Sequence, residues 1–469
     1  MIKVTTVETA LGKAIHQAAK GSAETFSQVS IDTRTLEAGA LFVAIQGERF
    51  DGHEFIHCAI EQGATGVVSQ KSLEADAMVW QVPDTTMALG QMAKAHLAQL
   101  NLEKVAITGS VGKTSVKQMT SAILSGVGKT QATKGNLNNH WGMPLTGLSI
   151  EADTQYGVFE LGASAQGEIA YTANLVKPNV ALVNNVAGVH LEGFGSLEGV
   201  YQGKTEIYHA LSKDGTAVIN LDEAFASRWL ALANELGVKT RTFALNDSDV
   251  KGCDIKPDIF AKNIRLSAEG VQFELVVFSE RTEVNLPLAG EHNVRNALAA
   301  AALCHALGVS IKEIATGLAT TEQEKGRLQR FTHLSGAQLI DDSYNANEKS
   351  VKAAIDVLMS TPGPETEKLL ALGFLGELGE YQSQTCEAIA RYASEKGLKH
   401  LLVIGEQALL YQPHFEGELI DCESIDQALA WIQPRLNKST VVLAKGSRSA
   451  AMERVIQGLI KEEETCSTT

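Results

Sequence analysis

The sequence has little of what marks membrane, secreted or nucleic-acid-binding proteins. It contains no uninterrupted apolar run of the ~20 residues that a bilayer-spanning helix needs, and its N-terminal stretch MIKVTTVETALGKAIHQ lacks the apolar core of a signal peptide. Basic residues are also in deficit, because 40 lysines and arginines stand against 55 acidic residues and give a formal charge of −15. An acidic surface repels polyphosphate backbones and anionic lipids. We therefore expect a soluble, cytoplasmic protein with no nucleic-acid partner and no membrane insertion.

Cysteine is scarce and carries no pattern. The six cysteines are scattered along 469 residues, with no C-x-x-C pair and no Cys/His cluster. This distribution disfavours a disulfide framework and a zinc site, and it is typical of free thiols in a reducing compartment. The length exceeds what one ordinary hydrophobic core supports and suits about three domains of roughly 150 residues each.

Alternating strand and helix signals predict an α/β protein of three domains. A central domain with a P-loop and a parallel sheet is flanked by a small N-terminal α/β domain and by a C-terminal Rossmann-like domain. The predicted domains cover residues 1–85, 86–318 and 319–469. Residues 259–288 alternate as an antiparallel ribbon on the flank of the central sheet would. The last domain has no G-x-G-x-x-G after its first strand, so a dinucleotide is not indicated.

The stretch ITGSVGKTS, residues 107–115, is similar to a phosphate-binding loop. It follows a predicted buried strand and opens a predicted helix, which is the context that such a loop requires. Gly109 and Gly112 let backbone N–H groups face a polyphosphate. Lys113 supplies a cation, and the Thr114 hydroxyl can bind Mg²⁺. The G-x-x-G-K-T spacing is shorter than the usual Walker A spacing, and an ordinary glycine-rich turn is the alternative interpretation.

Two later strands end in groups that a metal could use. Glu160 in FELGAS leaves one strand, and His190 in NNVAGVHLEGFGS follows another. The carboxyl ends of strands in an open α/β sheet bind ligands, so both could approach the phosphate loop. A carboxylate and a hydroxyl are ordinary Mg²⁺ ligands, whereas an imidazole is less usual. On pattern alone, His190 is a loop or core histidine, and Lys204, on a predicted helix, is a solvated lysine.

Eight motifs together resemble the Mur ligases, the ATP-dependent amide-forming enzymes of peptidoglycan precursor synthesis. In the family's order they are ITGSVGKTS, GNLNNHWGMPLT, FELGAS, NVAGVHLEGFGS, GEHNVRNALAA, GRLQ, DDSYNAN and KGSRS. The run DTRTLEAGALFVAIQGERFDGHEF, residues 32–55, also resembles the family's UDP-sugar domain. The resemblance covers the whole chain, and it accounts for the shortened loop, because G-x-x-G-K-[ST] is the family's form.

Within the family, SYNAN and the GNLNN run resemble the members that join D-alanyl-D-alanine to UDP-N-acetylmuramoyl-tripeptide. The Asp-Asn-Pro-Arg signature of the members that add the third residue is absent from the sequence. The resemblance implies ATP and Mg²⁺ as cofactors, these two small molecules as partners and an acyl-phosphate intermediate. Nothing in the sequence suggests an obligate assembly, so we expect a monomer. No motif distinguishes meso-diaminopimelate from L-lysine as the third residue of the tripeptide.

The resemblance also implies roles for individual residues. The ATP site would comprise the phosphate loop, two asparagines on the adenine side, and two residues reaching the phosphates and ribose from the last domain: Gly109, Ser110, Val111, Gly112, Lys113, Thr114, Ser115, Asn293, Asn296, Arg327 and Asp342. The metal ligands would be Thr114, Glu160, His190 and Lys204, with Lys204 carbamylated to N6-carboxylysine. Lys113, His190 and Lys204 would be the catalytic residues. Without the resemblance, Asn293 and Asn296 are ordinary helix-terminal asparagines, Arg327 a linker charge and Asp342 a strand-end carboxylate.

Substrate contacts are expected at both ends of the chain. The candidates are Asp32, Arg34, Gln46 and His53 for the UDP-sugar, Asn138 and Asn139 in the GNLNN run, and Tyr344, Asn345, Asn347, Lys445, Ser447 and Arg448 for the dipeptide and for domain closure. Two positions depart from the family's pattern. Glu348 replaces a proline, and Phe374 stands where an aspartate is usual. The contact that this aspartate makes in the family would have to come from another residue, with Glu377 as the candidate.

Three other functions compete with the ligase interpretation. Folylpolyglutamate synthase shares a similar ATP domain but has no UDP-sugar domain, so the first 85 residues argue against it. A P-loop regulatory or motor NTPase would release phosphate without two acceptor substrates. A nucleotide-binding scaffold would bind without forming ADP. For the ligase we expect residues 320–330 to act as a hinge that brings Arg327 to ATP.

Overall fold

The computed structural model describes residues 1–14, 24–47, 50–247, 255–267, 270–322, 325–361, 367–376 and 378–466. Over these ranges the chain forms helices and mainly parallel sheets, so the predicted α/β class is confirmed. Glu377, the predicted substitute for the missing aspartate, lies outside the described residues, as does part of the predicted hinge. No helix in the described ranges is both long and apolar enough to cross a membrane.

The N-terminal part is a small four-stranded parallel sheet of order β3-β4-β5-β6, with a two-stranded ribbon β1-β2 beside it. Its elements are β1 (Ile2–Lys3), α1 (Val4–Leu11), β2 (Thr25–Phe26), β3 (Val29–Ser30), β4 (Leu41–Val43), α2 (Ile56–Glu61), β5 (Gly66–Ser69) and β6 (Met78–Gln81). The apolar side chains of β4, β5 and β6 are buried on both faces. This double burial is what a parallel sheet covered by helices requires.

The middle part is built on a nine-stranded sheet of order β15-β14-β13-β12-β11-β10-β7-β9-β8. Its elements are α3 (Thr85–Gln99), β7 (Glu103–Thr108), α4 (Lys113–Ser125), β8 (Thr130–Ala132), α5 (Gly142–Leu148), β9 (Tyr156–Glu160), α6 (Glu168–Val176), β10 (Val180–Val183), α7 (Leu191–Phe194), α8 (Leu197–His209), β11 (Thr216–Asn220), α9 (Ala226–Leu236), β12 (Lys239–Phe243), β13 (Ile259–Leu266), β14 (Val271–Val277), β15 (Glu280–Leu286), α10 (Glu291–Ala306) and α11 (Ile311–Ala319). β13, β14 and β15 pair antiparallel, which confirms the predicted ribbon.

The last part is a six-stranded sheet of order β16-β17-β21-β18-β19-β20. Its elements are β16 (Gln329–Thr332), β17 (Gln338–Asp342), α12 (Glu348–Ser360), β18 (Glu367–Gly373), α13 (Gln382–Glu395), β19 (His400–Ile404), α14 (Ala408–Tyr411), β20 (Glu418–Cys422), α15 (Ile425–Ile432), β21 (Thr440–Lys445) and α16 (Glu453–Cys466). β16 runs antiparallel to β17 at one edge, and the other strands are parallel.

The strand order decides where a ligand can bind. β7 lies between β9 and β10 and pairs in parallel with both, so the chain leaves β7 toward one side of the sheet and later returns on the other. Loops after such neighbouring strands diverge and leave a crevice at the carboxyl edge of the sheet. The loops that follow β7, β9 and β10 begin at residues 109, 161 and 184. The predicted phosphate loop and both predicted metal-ligand segments are therefore at one edge.

Candidate active site

The phosphate loop turns sharply between β7 and α4, and its two glycines make the turn possible. Gly109 has φ +150° and Gly112 has φ +79°, a region that favours glycine. A Cβ on Gly112 would lie 2.7 Å from the side-chain oxygen of Asn296, and one on Gly109 would lie 3.0 Å from Cβ of Asn184. Any side chain at either position would therefore collide with the loop that follows β10 or with α10.

Residues 184–187 fasten the phosphate loop, a role that sequence reasoning missed. Asn185 accepts from the Val111 N–H through Oδ1 and donates from Nδ2 to the Val111 carbonyl, both at 2.9 Å. The Ser110 hydroxyl donates to the Ala187 carbonyl at 3.0 Å and accepts from its N–H at 2.8 Å. The backbone N–H of Ser110 donates to the Asn185 carbonyl at 3.0 Å. The amides of Ser110 and Val111 are thus engaged within the protein, which leaves the first turn of α4 as the main source of donors for a phosphate.

Lys113 opens α4, and its ammonium rests inside the loop. Nζ donates to the carbonyl oxygens of Gly109 at 2.7 Å and of Ser110 at 3.4 Å. Burial of the ammonium lowers the pKa of Lys113, and the nearby Glu160 carboxylate partly opposes this shift. A cation held in a dry loop interacts strongly with an entering anion, because little water screens it.

Glu160 ends β9 and is 2% exposed. Its Oε1 accepts from the Asn138 side-chain amide at 2.9 Å, whereas its Oε2 has no hydrogen-bond partner. The buried ammonium of Lys117, one turn beyond Lys113 on α4, lies 3.5 Å from that oxygen. Lys117 was not predicted, and it offsets the charge of a carboxylate that would otherwise be costly to bury. This oxygen, which is ion-paired with Lys117 but accepts no hydrogen bond, is of the type that binds a hard cation.

Thr114 connects the phosphate loop to the last part of the chain. Its side chain is 2% exposed, and its hydroxyl accepts from Nη2 of Arg327 at 2.7 Å. The segment 379–381 also contacts α7 near Glu192. The last part of the chain therefore contacts the middle part at the phosphate loop and at α7, and its closure over a ligand stays a prediction.

His190 and Lys204 lie on the far side of the crevice. His190 adopts a left-handed conformation with φ +53° just before α7, and its Nδ1 is 3.5 Å from the Ser164 hydroxyl. Lys204 is 1% exposed, so the interpretation of a solvated lysine is wrong. Burial, followed by the charge of Lys113, lowers the pKa of Lys204 to about 7. An amine in this range is partly neutral at physiological pH and can react as a nucleophile.

Asn293 and Asn296 are buried near the start of α10. Asn293 donates to the Ala289 carbonyl at 2.8 Å, and Asn296 lies 3.4 Å from the Asn184 amide, against the phosphate loop. Asp342 ends β17 and accepts from the Leu328 N–H through Oδ1. Ser115 is half-buried in the first turn of α4. The adenine and ribose contacts expected for these side chains stay predictions.

Metal ligands are few in this crevice. In the ranges that the structure describes, no group of three or more histidine, cysteine, aspartate or glutamate side chains could hold a metal ion. A cation at Glu160 and Thr114 would therefore take most of its ligands from phosphate oxygens and water, an arrangement that Mg²⁺ prefers.

The predicted UDP-sugar residues are only partly available to a ligand. Arg34 is 86% exposed at its side chain and pairs with Asp32 at 2.6 Å, and this pairing lowers the pKa of Asp32. Gln46 is exposed and bridges to Asp51. The His53 ring also supports this loop, because its Nδ1 contacts Asp51 at 2.5 Å and its Nε2 accepts from the Gln70 N–H at 3.0 Å. Its contact with the UDP-sugar stays a prediction.

Asn138 and Asn139 also have internal partners. Asn138 donates to Glu160, and Oδ1 of Asn139 accepts from the backbone N–H groups of Trp141 and Gly142 at 3.1 and 2.7 Å. Asn138 thus supports the candidate metal ligand and Asn139 the start of α5, while their contacts with substrate stay predictions.

Two of the residues predicted for the dipeptide and for domain closure have internal partners. Nζ of Lys445 is buried and donates to Oδ2 of Asp342 at 2.6 Å and to the Asn345 carbonyl at 2.9 Å. Asn347 caps α12 through the Ser350 N–H at 2.9 Å. These bonds hold the strand-end loop, and the roles of Lys445 and Asn347 toward the dipeptide stay predictions.

Three residues near the ends of β18 and β21 differ in how far their side chains are exposed to solvent. The Ser447 hydroxyl accepts from the Gly376 N–H at 2.8 Å, so it fastens the loop after β18. Arg448 is exposed and pairs with Glu453 at 3.0 Å. Phe374 is 42% exposed at the end of β18. Of these, Arg448 and Phe374 present surface to a ligand.

Comparison with known proteins accounts for the arrangement. The "Mur ligase family, catalytic domain" matches residues 25–97, the "Mur ligase middle domain" residues 107–304, and the "Mur ligase, glutamate ligase domain" residues 326–448. A UDP-N-acetylmuramoyl-tripeptide–D-alanyl-D-alanine ligase of Escherichia coli is 40% identical over 95% of this chain and 96% of its own length. The chain belongs to the Mur ligase family.

Solved structures of other Mur ligases have the same fold. MurF from Acinetobacter baumannii superposes with a TM-score of 0.88 at 33% identity, covering 98% of this chain and 99% of its own. MurF ligase from Thermotoga maritima, solved in complex with ADP, gives 0.78 at 25% identity and covers 93% and 98%. The agreement along the full length confirms the predicted family and three-part architecture, while the boundaries at residues 85 and 318 stay predictions.

Proposed function

We propose that this Mur ligase joins D-alanyl-D-alanine to UDP-N-acetylmuramoyl-tripeptide, with cleavage of ATP to ADP and phosphate. The observation that carries the proposal is the convergence on the phosphate loop. Lys113 and Thr114 open α4, the Glu160 carboxylate lies buried at the end of β9, and Arg327, just before the last sheet, reaches Thr114. The full-length similarity to ligases of this name supports the choice of substrates.

The first step activates a carboxylate, whose own leaving group would be oxide. An oxygen of the tripeptide carboxylate attacks the γ-phosphorus of ATP, the bond to the β,γ-bridging oxygen breaks, and an acyl phosphate and ADP result. Catalysis of phosphoryl transfer is mainly positioning and electrostatic stabilisation. Lys113 would stabilise the transferred group, and the donors of the first turn of α4 would hold the phosphates.

In the second step the amine of D-alanyl-D-alanine attacks the acyl carbon. The amide bond forms, the carbon–oxygen bond to phosphate breaks, and the amine loses its proton. Water would hydrolyse the acyl phosphate, so a part of the enzyme must close over it. The contact of Arg327 with Thr114 supports closure by the last sheet, with residues 320–330 as the proposed hinge.

Mg²⁺ would be held by Glu160 and Thr114, with His190 as a further proposed ligand, and would neutralise charge on the polyphosphate. The buried Oε2 of Glu160, which accepts no hydrogen bond and has only the Lys117 ammonium nearby at 3.5 Å, fits such a cation. We also propose that Lys204 is converted to N6-carboxylysine. Its neutral amine, available because the pKa is about 7, would attack CO₂ and lose a proton to give an anionic carbamate. The carbamate would then be able to bind Mg²⁺, whereas the ammonium of an unmodified lysine cannot.

Location and assembly follow from the family rather than from the geometry. We propose that the enzyme acts as a monomer in the cytoplasm, where UDP-linked substrates and ATP are available. Light scattering on the purified protein would measure the assembly, and a dimer at micromolar concentration would contradict the proposal.

Product formation tests the proposal directly. The enzyme is incubated with ATP, Mg²⁺ and UDP-N-acetylmuramoyl-tripeptide, in its diaminopimelate and lysine forms, with and without D-alanyl-D-alanine. Mass spectrometry should detect a UDP-pentapeptide only when all components are present, and the two rates would identify the third residue. ADP formed without a new amide bond would favour a plain NTPase or a different acceptor.

The hinge is tested by Arg327→Ala. If Arg327 reaches ATP only when the last sheet closes, the variant should form UDP-pentapeptide about 100-fold more slowly, the lower range for loss of one transition-state donor. Arg330→Ala is the matched control. It changes an exposed arginine of β16, three residues after Arg327 in the sequence. A normal turnover rate in Arg327→Ala would exclude the closure role.

A further inference from the structure

Arg327 stacks on an aromatic ring, and this contact extends the proposed function, on which the inference rests. The guanidinium carbon Cζ lies 4.3 Å from the centroid of the Tyr344 ring, while Nη2 donates to the Thr114 hydroxyl. The sequence prediction placed Tyr344 among the candidates for the incoming dipeptide and for domain closure, without separating the two roles. We propose that Tyr344 is a positioning residue whose ring holds the Arg327 guanidinium at the phosphate loop.

The backbone around Arg327 is fastened to the loop that carries Tyr344. Both neighbours of the arginine are left-handed, Gly326 with φ +73° and Leu328 with φ +54°. The Gly326 carbonyl accepts from the Tyr344 N–H at 2.9 Å, and the Leu328 N–H donates to Asp342 at 3.2 Å. A Cβ on Gly326 would lie 3.1 Å from the Tyr344 nitrogen, so the two segments touch. Arg327 and Tyr344 are therefore expected to move as one unit when the last sheet moves.

Stacking suits an arginine that must meet an anion. A free arginine side chain has many rotamers, and a ring beneath the guanidinium restricts them before the ligand arrives. Contact through the face of the guanidinium is compatible with donation from its N–H edge, here to Thr114. Because both side chains are half-buried, we expect the ring to change nucleotide affinity by about 2- to 30-fold, the range for cation–π pairs between exposed and desolvated sites.

The test separates a nucleotide role from a dipeptide role. Tyr344→Leu and Tyr344→Met remove the ring, and Tyr344→Phe keeps it. Calorimetry with the ATP analogue AMP-PNP and Mg²⁺ measures nucleotide affinity, and steady-state kinetics measures the KM for D-alanyl-D-alanine. The ring-free variants should raise the dissociation constant for AMP-PNP within the range above and leave the KM for the dipeptide within about two-fold, while Tyr344→Phe should restore most of the affinity.

A double-mutant cycle decides whether Tyr344 acts through Arg327. In an Arg327→Ala background, loss of the ring should change AMP-PNP affinity by less than about two-fold, because paired residues are not additive. Tyr392→Leu is the matched control. It removes a ring that lies beneath Lys396, which directly follows α13, and Lys352 of α12, and it should leave AMP-PNP affinity unchanged.

Two results would overturn the proposal. A raised KM for the dipeptide with unchanged AMP-PNP affinity would make Tyr344 a dipeptide contact, and full additivity with Arg327→Ala would remove the link between the two residues. Tyr344→Met, which keeps much of the buried volume, answers the question if Tyr344→Leu fails to fold. If the wild-type enzyme made no UDP-pentapeptide, the proposed function would fail, but the AMP-PNP cycle would still report on Tyr344 and Arg327.

Discussion

The phosphate loop and the strand-end loops of the last sheet both carry recognisable motifs, yet their side chains are used differently. Around the phosphate loop, Lys113, Glu160 and Lys204 bring charged or reactive groups to one crevice. In the last sheet, Lys445 and Asn347 bond to their own loop. A motif residue can therefore serve a reaction directly or can hold the backbone that others need.

The last sheet provides the largest test of this difference. Lys445→Met would leave the half-buried Asp342 carboxylate without its cation, and breaking a buried pair on one side typically costs about 3–5 kcal/mol. Hydrogen exchange should detect this loss as lower protection in β17 and β21, the two strands that end at Asp342 and Lys445. Lys399→Met changes an exposed lysine of the same part of the chain and should leave the free energy of unfolding unchanged. Unchanged protection together with a raised KM for D-alanyl-D-alanine would make Lys445 a substrate residue.

At the phosphate loop the corresponding change should affect the rate. Lys113→Met keeps the length of the side chain and removes the charge, so stabilisation of the transferred phosphoryl group is lost. We expect UDP-pentapeptide formation to fall by about 10²- to 10³-fold, as for other preorganised electrostatic donors, with hydrogen-exchange protection unchanged. Lys94→Met, at an exposed lysine of α3, is the control. If Lys113→Met changed the free energy of unfolding more than the free energy of activation, Lys113 would be a structural residue. The two regions would then not differ.

The pH dependence of stability tests Lys204, the buried lysine on the phosphate-loop side of this comparison. Its pKa is about 7 in the folded protein and about 10.4 in an unfolded chain, so between these values the unfolded state binds more protons and the stability of the folded state rises with pH. In CO₂-free buffer, Lys204→Met should therefore be more stable than the wild type at pH 7, and its advantage should shrink by at most about 1.4 kcal/mol per pH unit up to pH 10. Thermal unfolding across this range measures it, and a constant difference would mean that Lys204 does not titrate there.

Much of the crevice could be predicted because its signals are local. The spacing of the phosphate loop between a strand and a helix fixed its position, and the alternation in residues 259–288 predicted the ribbon. Asn185 and Lys117 were missed because their partners are set by the fold: Asn185 bonds a residue 74 positions away. Burial of Lys204 had a signal in Tyr201 and Tyr208, which lie three and four residues away and place the lysine on the packed face of α8.

Asn347 gives the smallest and sharpest test, because two substitutions separate its two possible roles. As the cap of α12, it accepts from the Ser350 N–H, and Asn347→Ala should cost about 1 kcal/mol in urea unfolding. Asn347→Asp keeps an acceptor at the helix start and adds a favourable charge, so stability should be retained. The aspartate would, however, repel the carboxylate of D-alanyl-D-alanine if Asn347 bound it. A KM for the dipeptide that is unchanged in Asn347→Asp supports the cap, whereas a large increase with normal stability would return Asn347 to the substrate site and show that a satisfied polar atom can still serve a ligand.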